Sequence, residues 1–351
     1  MCKRAADAFG QALALTESTN RYELADFSEY NDIFLLHNSS GKLNGVKESI
    51  FMENIKDYSF RWRWNMVNDF RPQSIESSGI KSYPTANYVN YYGMQNGYPI
   101  NDMTKADAES GYDPTHPWKN RDPRFYKTIM FDGVKWRNTG GAGGTAELFT
   151  GGRESEEANE KKGCFTAYMN SKLCPQLMNT FDGYKENNIM ILSLMRLADV
   201  YLMYAEATAV GYNSPKGKAA TYSLTAEEAL NKIRERAGVA PVLEKFLGST
   251  ADFLSELRRE RAVELSFEGF RFTDLRRWML LTQYPYTLKT KIEFDRADPN
   301  NYNYDAPEEN AIKNLREVVL IERKYTDRHY WYPLPKKDVS MYEGFYQNPG
   351  W

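Results

Sequence analysis

Apolar residues recur at helical spacing in two parts of the chain. Near the start, Ala5, Ala6, Ala8, Phe9, Ala12 and Leu13 predict a helix over 4–15, and a second short helix is expected over 26–36. The longer signal lies at 189–282. Met190, Leu194, Leu197, Tyr201, Tyr204 and Thr208 recur at steps of four and three, one buried stripe, and Gly211 and Pro215 end it. Thr225 and Glu228 form a capping-box pair ahead of a helix whose inner face is Ala226, Ala229, Leu230, Ile233 and Ala237. Gly238 and Pro241 mark its stop. A third helix is expected from Thr250 through Phe253, Leu254, Leu257 and Leu265 to Gly269, and a fourth from Thr273 to Leu281. Antiparallel helical pairs of this length resemble tetratricopeptide packing, without a clean repeat of about 34 residues.

Elsewhere the pattern breaks down. Residues 38–190 are rich in Gly, Asn, Pro and Tyr, with a glycine run at Gly140, Gly141, Gly143 and Gly144. That run lacks the Lys-Ser/Thr of a phosphate loop and reads as a flexible loop. Long irregular stretches in a compact chain usually carry function. The tail, 283–351, is again rich in Tyr, Asn and Pro, with one expected strand at Glu317–Arg323.

Composition narrows the function. The 351 residues carry a formal charge of −2, which argues against a strongly basic nucleic-acid binder. Mean hydropathy is −0.66. The most apolar stretch, Ile189 to Val210, is broken by Arg196, Asp199 and Glu206, so no bilayer-spanning helix is expected. Cys2, Cys164 and Cys174 are too few for a disulfide framework; a Cys164–Cys174 pair across a short loop stays open. With only His37, His116 and His329 available, no metal or Cys/His nucleophile pattern is evident. Aromatic residues make up 14% of the chain, and half of them are tyrosines, which join an apolar face to a hydroxyl.

Two kinds of side-chain cluster invite chemistry. Glu260, Glu264 and Glu268 lie four residues apart on one helix face. A glycoside hydrolase would use such carboxylates, but the surrounding arginines favour their ionised form, which is wrong for a general acid. An ion-pair lattice is the expected reading. Arg234 and Arg236 are likewise expected to be structural, with Glu206 as a buried partner. The segment Phe60–Arg71 is different. Alternation of Phe60, Trp62 and Trp64 would set three rings on one face of a strand, with Asn65, Asn68, Asp69 and Arg71 beside them for hydroxyl groups. Trp62, Trp64, Asn65, Phe70, Arg71 and Tyr83 are the candidate ligand-binding residues, whereas Tyr88 and Tyr91 are expected in the core.

Several segments together resemble the SusD/RagB family of surface nutrient-capture lipoproteins of Bacteroidetes. They are Leu194–Ala207, Leu230–Gly238, Glu260–Trp278, Met94–Ile100, Arg121–Tyr126, Tyr332–Pro335 and Gln347–Trp351. Their joint order over 85–351 is specific, and residues 1–60 fit less well. The resemblance implies a mainly α, SusD-like fold: a tetratricopeptide-like helical scaffold with a large loop-rich insert and few short strands. Within one domain over 1–351, 1–60 would be a helical pair, 61–188 the loop-rich ligand region, 189–282 the scaffold and 283–351 a loop-rich tail. It also implies a non-enzymatic role on the extracellular face of the outer membrane, where oligosaccharide is held for a SusC-like TonB-dependent transporter. No cofactor is implied, and a structural calcium stays open. The chain starts without the family's signal peptide, lipidated cysteine and most N-terminal helices, so truncation is expected, and membrane attachment would run only through that missing anchor. A peptide-capturing member of the family, a protein-binding helical scaffold and a hydrolase are the alternatives.

Overall fold

A computed structural model describes residues 1–37, 45–52, 83–135, 138, 144–158, 163–173, 182, 188–191 and 193–351. In chain order the elements are helix α1 (Cys2–Thr19), strands β1 (Leu35–His37) and β2 (Ser49–Met52), short helices α2 (Ala86–Val89) and α3 (Pro123–Thr128), and strands β3 (Ile129–Met130), β4 (Met169–Asn170), β5 (Asn188–Met190) and β6 (Ser193–Arg196). Helices α4 (Leu197–Tyr212), α5 (Ala226–Ala237), α6 (Thr250–Glu264) and α7 (Phe270–Arg277) follow, then strands β7 (Leu288–Arg296) and β8 (Ile312–Glu322) and helix α8 (Lys336–Met341). The fold is mainly α, and its strands pair two by two: β1 with β5, β2 with β6, β3 with β4 and β7 with β8, all antiparallel.

The helical half is built around α4, which packs on α1, α5 and α6. Ala6, Leu13, Tyr204, Ala205, Leu230, Ile233 and Leu257 close this core. Gly10 allows α1 its close approach, because a Cβ there would lie 2.5 Å from Thr221 Oγ1. Helix α5 starts and stops where its sequence dictates. Glu228 N–H donates to Thr225 Oγ1 at 3.2 Å, Thr225 N–H donates to the Glu228 carboxylate at 2.7 Å, and Gly238 closes the end at φ 71°. A second core lies between α2, α3 and the β7–β8 hairpin. Trp118 stacks on Phe131 at 5.0 Å and meets Phe294 edge-on at 5.2 Å. No helix among the described residues is long and apolar enough to cross a membrane.

Several boundaries differ from the sequence pattern. Residues 26–36 form a 3₁₀ stretch at Phe27–Phe34 that runs into β1. The stripe from Met190 does not begin a helix: Asn188–Met190 and Ser193–Arg196 are strands, and α4 opens only at Leu197. Leu194 is consequently exposed, while Leu197, Tyr201, Tyr204 and Thr208 are buried as expected. Helix α6 ends at Glu264 rather than Gly269, because Phe267 and Gly269 take left-handed backbone conformations that turn the chain into α7. The strand expected at Glu317–Arg323 is part of β8, and its partner β7 lies in the tail that the pattern assigned to loops.

A buried ion-pair lattice joins the two cores. Glu264 accepts from Arg196 Nη1 at 2.7 Å, from Arg124 Nη1 at 2.9 Å and from Arg236 Nη2. Glu268 is held by Arg196 Nε and by Lys172 Nζ, each at 2.7 Å. Glu260 pairs with Arg124 and with Arg234 Nε at 2.9 Å, and Glu48 with Arg196 and Arg236. Burial alone would raise the pKa of Glu264, but Arg236, Arg196 and Arg124 overcome it and hold this carboxyl well below the usual range. Glu206 is not the partner of Arg234 or Arg236; it accepts from Arg277 and from Trp278 Nε1 instead, because α7 lies nearer to its turn of α4. The C-terminal segments that carry the resemblance also pair with each other: Leu334 N–H donates to Gln347 Oε1 at 2.7 Å and Gln347 Nε2 returns a bond to the Leu334 carbonyl.

Candidate functional site

The main concavity among the described residues is a cleft of about 710 Å³. One wall is the end of α2 with the turn after it, carrying Asn87, Asn90, Tyr91 and Pro99–Asn101. The floor is the outer row of α6, Ser255, Arg258 and Arg259, three and four residues apart on the face opposite the buried Leu257, Glu260 and Glu264. Arg271 at the start of α7, Tyr284–Tyr286 and the hairpin residues Leu288, Thr290, Glu317 and Val319 close the far side.

Specific bonds fix this geometry. Asn87 N–H donates to Thr290 Oγ1 at 2.9 Å and Asn87 Nδ2 to the Leu288 carbonyl at 2.8 Å, which ties α2 to β7. Thr290 Oγ1 donates to Glu317 at 2.6 Å. Arg259 Nη2 donates to the Gly97 carbonyl at 2.9 Å while its Nε holds Glu256 at 3.0 Å. Gly97 itself sits at φ 88°, a conformation glycine adopts without strain, and so reverses the chain to present Pro99 and Ile100. The guanidinium of Arg271 lies 4.8 Å from the Tyr91 ring centroid and 5.5 Å from that of Tyr286. Tyr284 is 77% exposed at the rim. Burial raises the pKa of the Tyr91 hydroxyl despite Arg271, so this phenol stays neutral. Aromatic faces, amides and guanidinium groups thus converge on one cleft, an arrangement that grips a polar ligand by ring stacking and hydrogen bonds.

Of the sequence-predicted residues, Trp62, Trp64, Asn65, Phe70 and Arg71 lie outside the described residues. Tyr83 is half-buried. Its hydroxyl donates to the Gly163 carbonyl at 2.7 Å, its ring meets Phe165 edge-on at 5.7 Å, and burial raises its pKa. It does not line the cleft. Tyr88 is packed against the second core, donating to the Ala262 carbonyl at 2.6 Å. Tyr91, its neighbour, packs there too but also faces the cleft. Glu260, Glu264 and Glu268 are closed inside the lattice. Cys164 is a free, buried thiol whose pKa burial pushes up to about 11. No group of three or more His, Cys, Asp or Glu among the described residues gathers as a metal holder. Sequence reasoning passed over Tyr284, Tyr286, Arg258 and Arg271. The excess of tyrosine in the tail was the available signal for the first two.

Residues 47–351 match the SusD family. No curated protein sequence matches the chain. Among solved structures, a SusD-like protein from Bacteroides fragilis aligns with a TM-score of 0.70 at 22% identity, over 99% of this chain and 62% of its own. A SusD-like carbohydrate binding protein from Bacteroides fragilis gives 0.62 at 19% identity, over 95% and 60%. Surface glycan-binding protein A from Bacteroides fluxus gives 0.52 at 18%, over 99% and 59%. The chain therefore spans less than two thirds of the length of these structures, and at such identities the likeness is one of fold.

Proposed function

The chain belongs to the SusD family and has its mainly α fold, and from that premise we propose that it binds an oligosaccharide at the extracellular face of a bacterial outer membrane and delivers it to a SusC-like TonB-dependent transporter. The observation that carries this reading is the cleft itself. Its volume of about 710 Å³ suits a short oligosaccharide, and it sets tyrosine rings beside amide and guanidinium donors. Apolar faces of sugar rings stack on aromatic planes while hydroxyls bond to the amides of Asn87, Asn90 and Asn101, and neither contact needs a shifted pKa. The names of the two carbohydrate- and glycan-binding structures point the same way. No hydrolysis is routed through Glu260, Glu264 or Glu268: they are shut from a sugar by burial and held by guanidinium groups.

Isothermal titration with a panel of oligosaccharides tests the proposal. At least one sugar should bind. Tyr284→Ala should weaken it by about tenfold, the ~1.4 kcal/mol expected for one lost ring platform. Trp62→Ala and Trp64→Ala report whether the 60–71 segment adds to the same site. A panel in which no saccharide binds refutes the reading.

A further inference from the structure

The cleft holds more positive charge than its own carboxylates balance. Arg259 is neutralised by Glu256, which Arg234 shares. Arg258 and Arg271 also line the cleft, and neither has a carboxylate partner among the described residues. Arg271 Nη1 makes one weak bond to the Arg258 carbonyl at 3.4 Å, and its guanidinium also packs against Tyr91 and Tyr286, within reach of the Tyr91 hydroxyl. Arg258 lies 5.4 Å from the Trp278 ring centroid, and its Nε is shut from solvent with no acceptor. Lys289, between the lining residues Leu288 and Thr290 on β7, is not itself a lining residue, but its charge lies close to Arg271. Burial, with Arg323 and Arg271 close by, pushes its pKa down to about 8. Neither Lys289 nor Arg323 has a carboxylate partner among the described residues. The only lining carboxylate not held by an arginine is Glu317, which accepts from Thr290.

Like charges gathered without a counter-charge repel one another in the free protein, and a bound anion relieves that repulsion. Guanidinium groups match carboxylate and sulfate oxygens with paired donors. Tyrosine faces on either side supply the stacking surface. The geometry points to an acidic saccharide, bearing carboxylate or sulfate groups, as the ligand of this cleft, with its anion on Arg271 and Arg258 and a ring against Tyr284 or Tyr286. This rests on the glycan-binding reading and narrows it to a charge class.

The test is titration calorimetry of the full chain with tetragalacturonate, a chondroitin sulfate tetrasaccharide, maltotetraose and tetraglutamate, at low and high salt. An acidic sugar should bind at least tenfold tighter than maltotetraose and weaken as salt rises. Arg271→Gln should bring its affinity down to the neutral level, and Arg258→Gln gives a second reading of the same site. Lys105→Gln removes the same net charge at an exposed position outside the cleft lining and should leave binding unchanged. Preference between the uronate and the sulfate identifies which anion is read, and either supports the assignment. Equal binding of maltotetraose with no effect of Arg271→Gln overturns the acidic class while leaving glycan binding in place. Tetraglutamate binding without either acidic sugar overturns it in favour of a peptide. No binding by any sugar removes the glycan reading along with it.

Discussion

Replacing Glu264 by glutamine tests whether the lattice holds the fold together. The carboxylate side chain is fully buried and takes bonds from Arg196, Arg124 and Arg236. Glutamine keeps the shape and one acceptor oxygen, but turns an amide N–H toward a guanidinium and leaves the arginines without their shared anion. Removing one partner of a buried pair costs about 3–5 kcal/mol, because the opposite charge stays buried and uncompensated. At about 2.1 cal/mol/K per residue, a chain of this length unfolds with an entropy near 0.7 kcal/mol/K, so Tm should fall by roughly 4–7 °C. The acid limb adds an independent check. The folded pKa of Glu264 lies well below that of an unfolded glutamate, about 4.3, so between the two values the unfolded chain binds the extra proton. The stabilisation is complete above the unfolded pKa and is lost as pH falls through the folded one. Glu264→Gln should therefore lose stability most near neutral pH and show a shallower acid decline than the parent. Calorimetric melts at pH 7, 5 and 3.5 decide it. A Tm within about 1 °C of the parent, with parallel acid curves, would refute the lattice argument.

The other predictions concern the surroundings of the cleft. Lys289 is held near pKa 8 by burial and by Arg323 and Arg271, below its unfolded value, so the folded state resists its charge. The unfolded chain binds more protons between about pH 8 and 10.4, and stability from this group rises with pH across that window. Lys289→Met should raise Tm at pH 7 and lose that advantage by pH 10; an advantage that instead grows with pH would contradict the burial argument. Gly97→Ala forces a left-handed backbone on a residue with a Cβ, at a cost of about 1–2 kcal/mol, and Gly97→Asn should recover part of it. Both variants, compared by thermal melts and by titration, should shift ligand affinity together with stability, because this turn carries Pro99 and Ile100 into the cleft.

Local signals were legible where they were complete. Helix α5 announces its cap, its inner stripe and its stop within 14 residues, Thr225 to Gly238, and the structure reproduces all three. Between Ile189 and Met195 all residues but Ser193 are apolar, so the helical spacing of Met190, Leu194 and Leu197 does not distinguish helix from strand, and strand pairing with Leu35–His37 and Ser49–Met52 decides against helix; no local window contains those partners. Strand β7 does alternate, but Thr290 and Arg296 on its buried face are polar and hide the pattern. The i, i+4 rule placed Glu260 and Glu264 on one face of α6, and ion pairing followed from the nearby arginines; Glu268 lies beyond the helix end and joins the lattice from the turn after it. The same rule could not assign partners, which is why Glu206 was matched wrongly and why Glu48 and Lys172, in segments without pattern, were missed.

The cleft was least legible for a related reason. Its residues come from α2, the turn after it, α6, α7, the 284–286 loop and the hairpin, and they meet only when the two cores are joined. Helix α6 carries both messages at once. Glu260 and Glu264 point inward to the arginines, Ser255, Arg258 and Arg259 face the cleft from the opposite row, and Glu256 between them meets both Arg234 and Arg259. Along the sequence these interleave into one charged run, Ser255 to Glu264, in which the arginine that balances a buried carboxylate and the arginine left free for a ligand look alike. Only the count of carboxylates reached by each guanidinium separates them. Arg124, Arg196, Arg234 and Arg236 each meet at least two, whereas Arg258 and Arg271 meet none among the described residues.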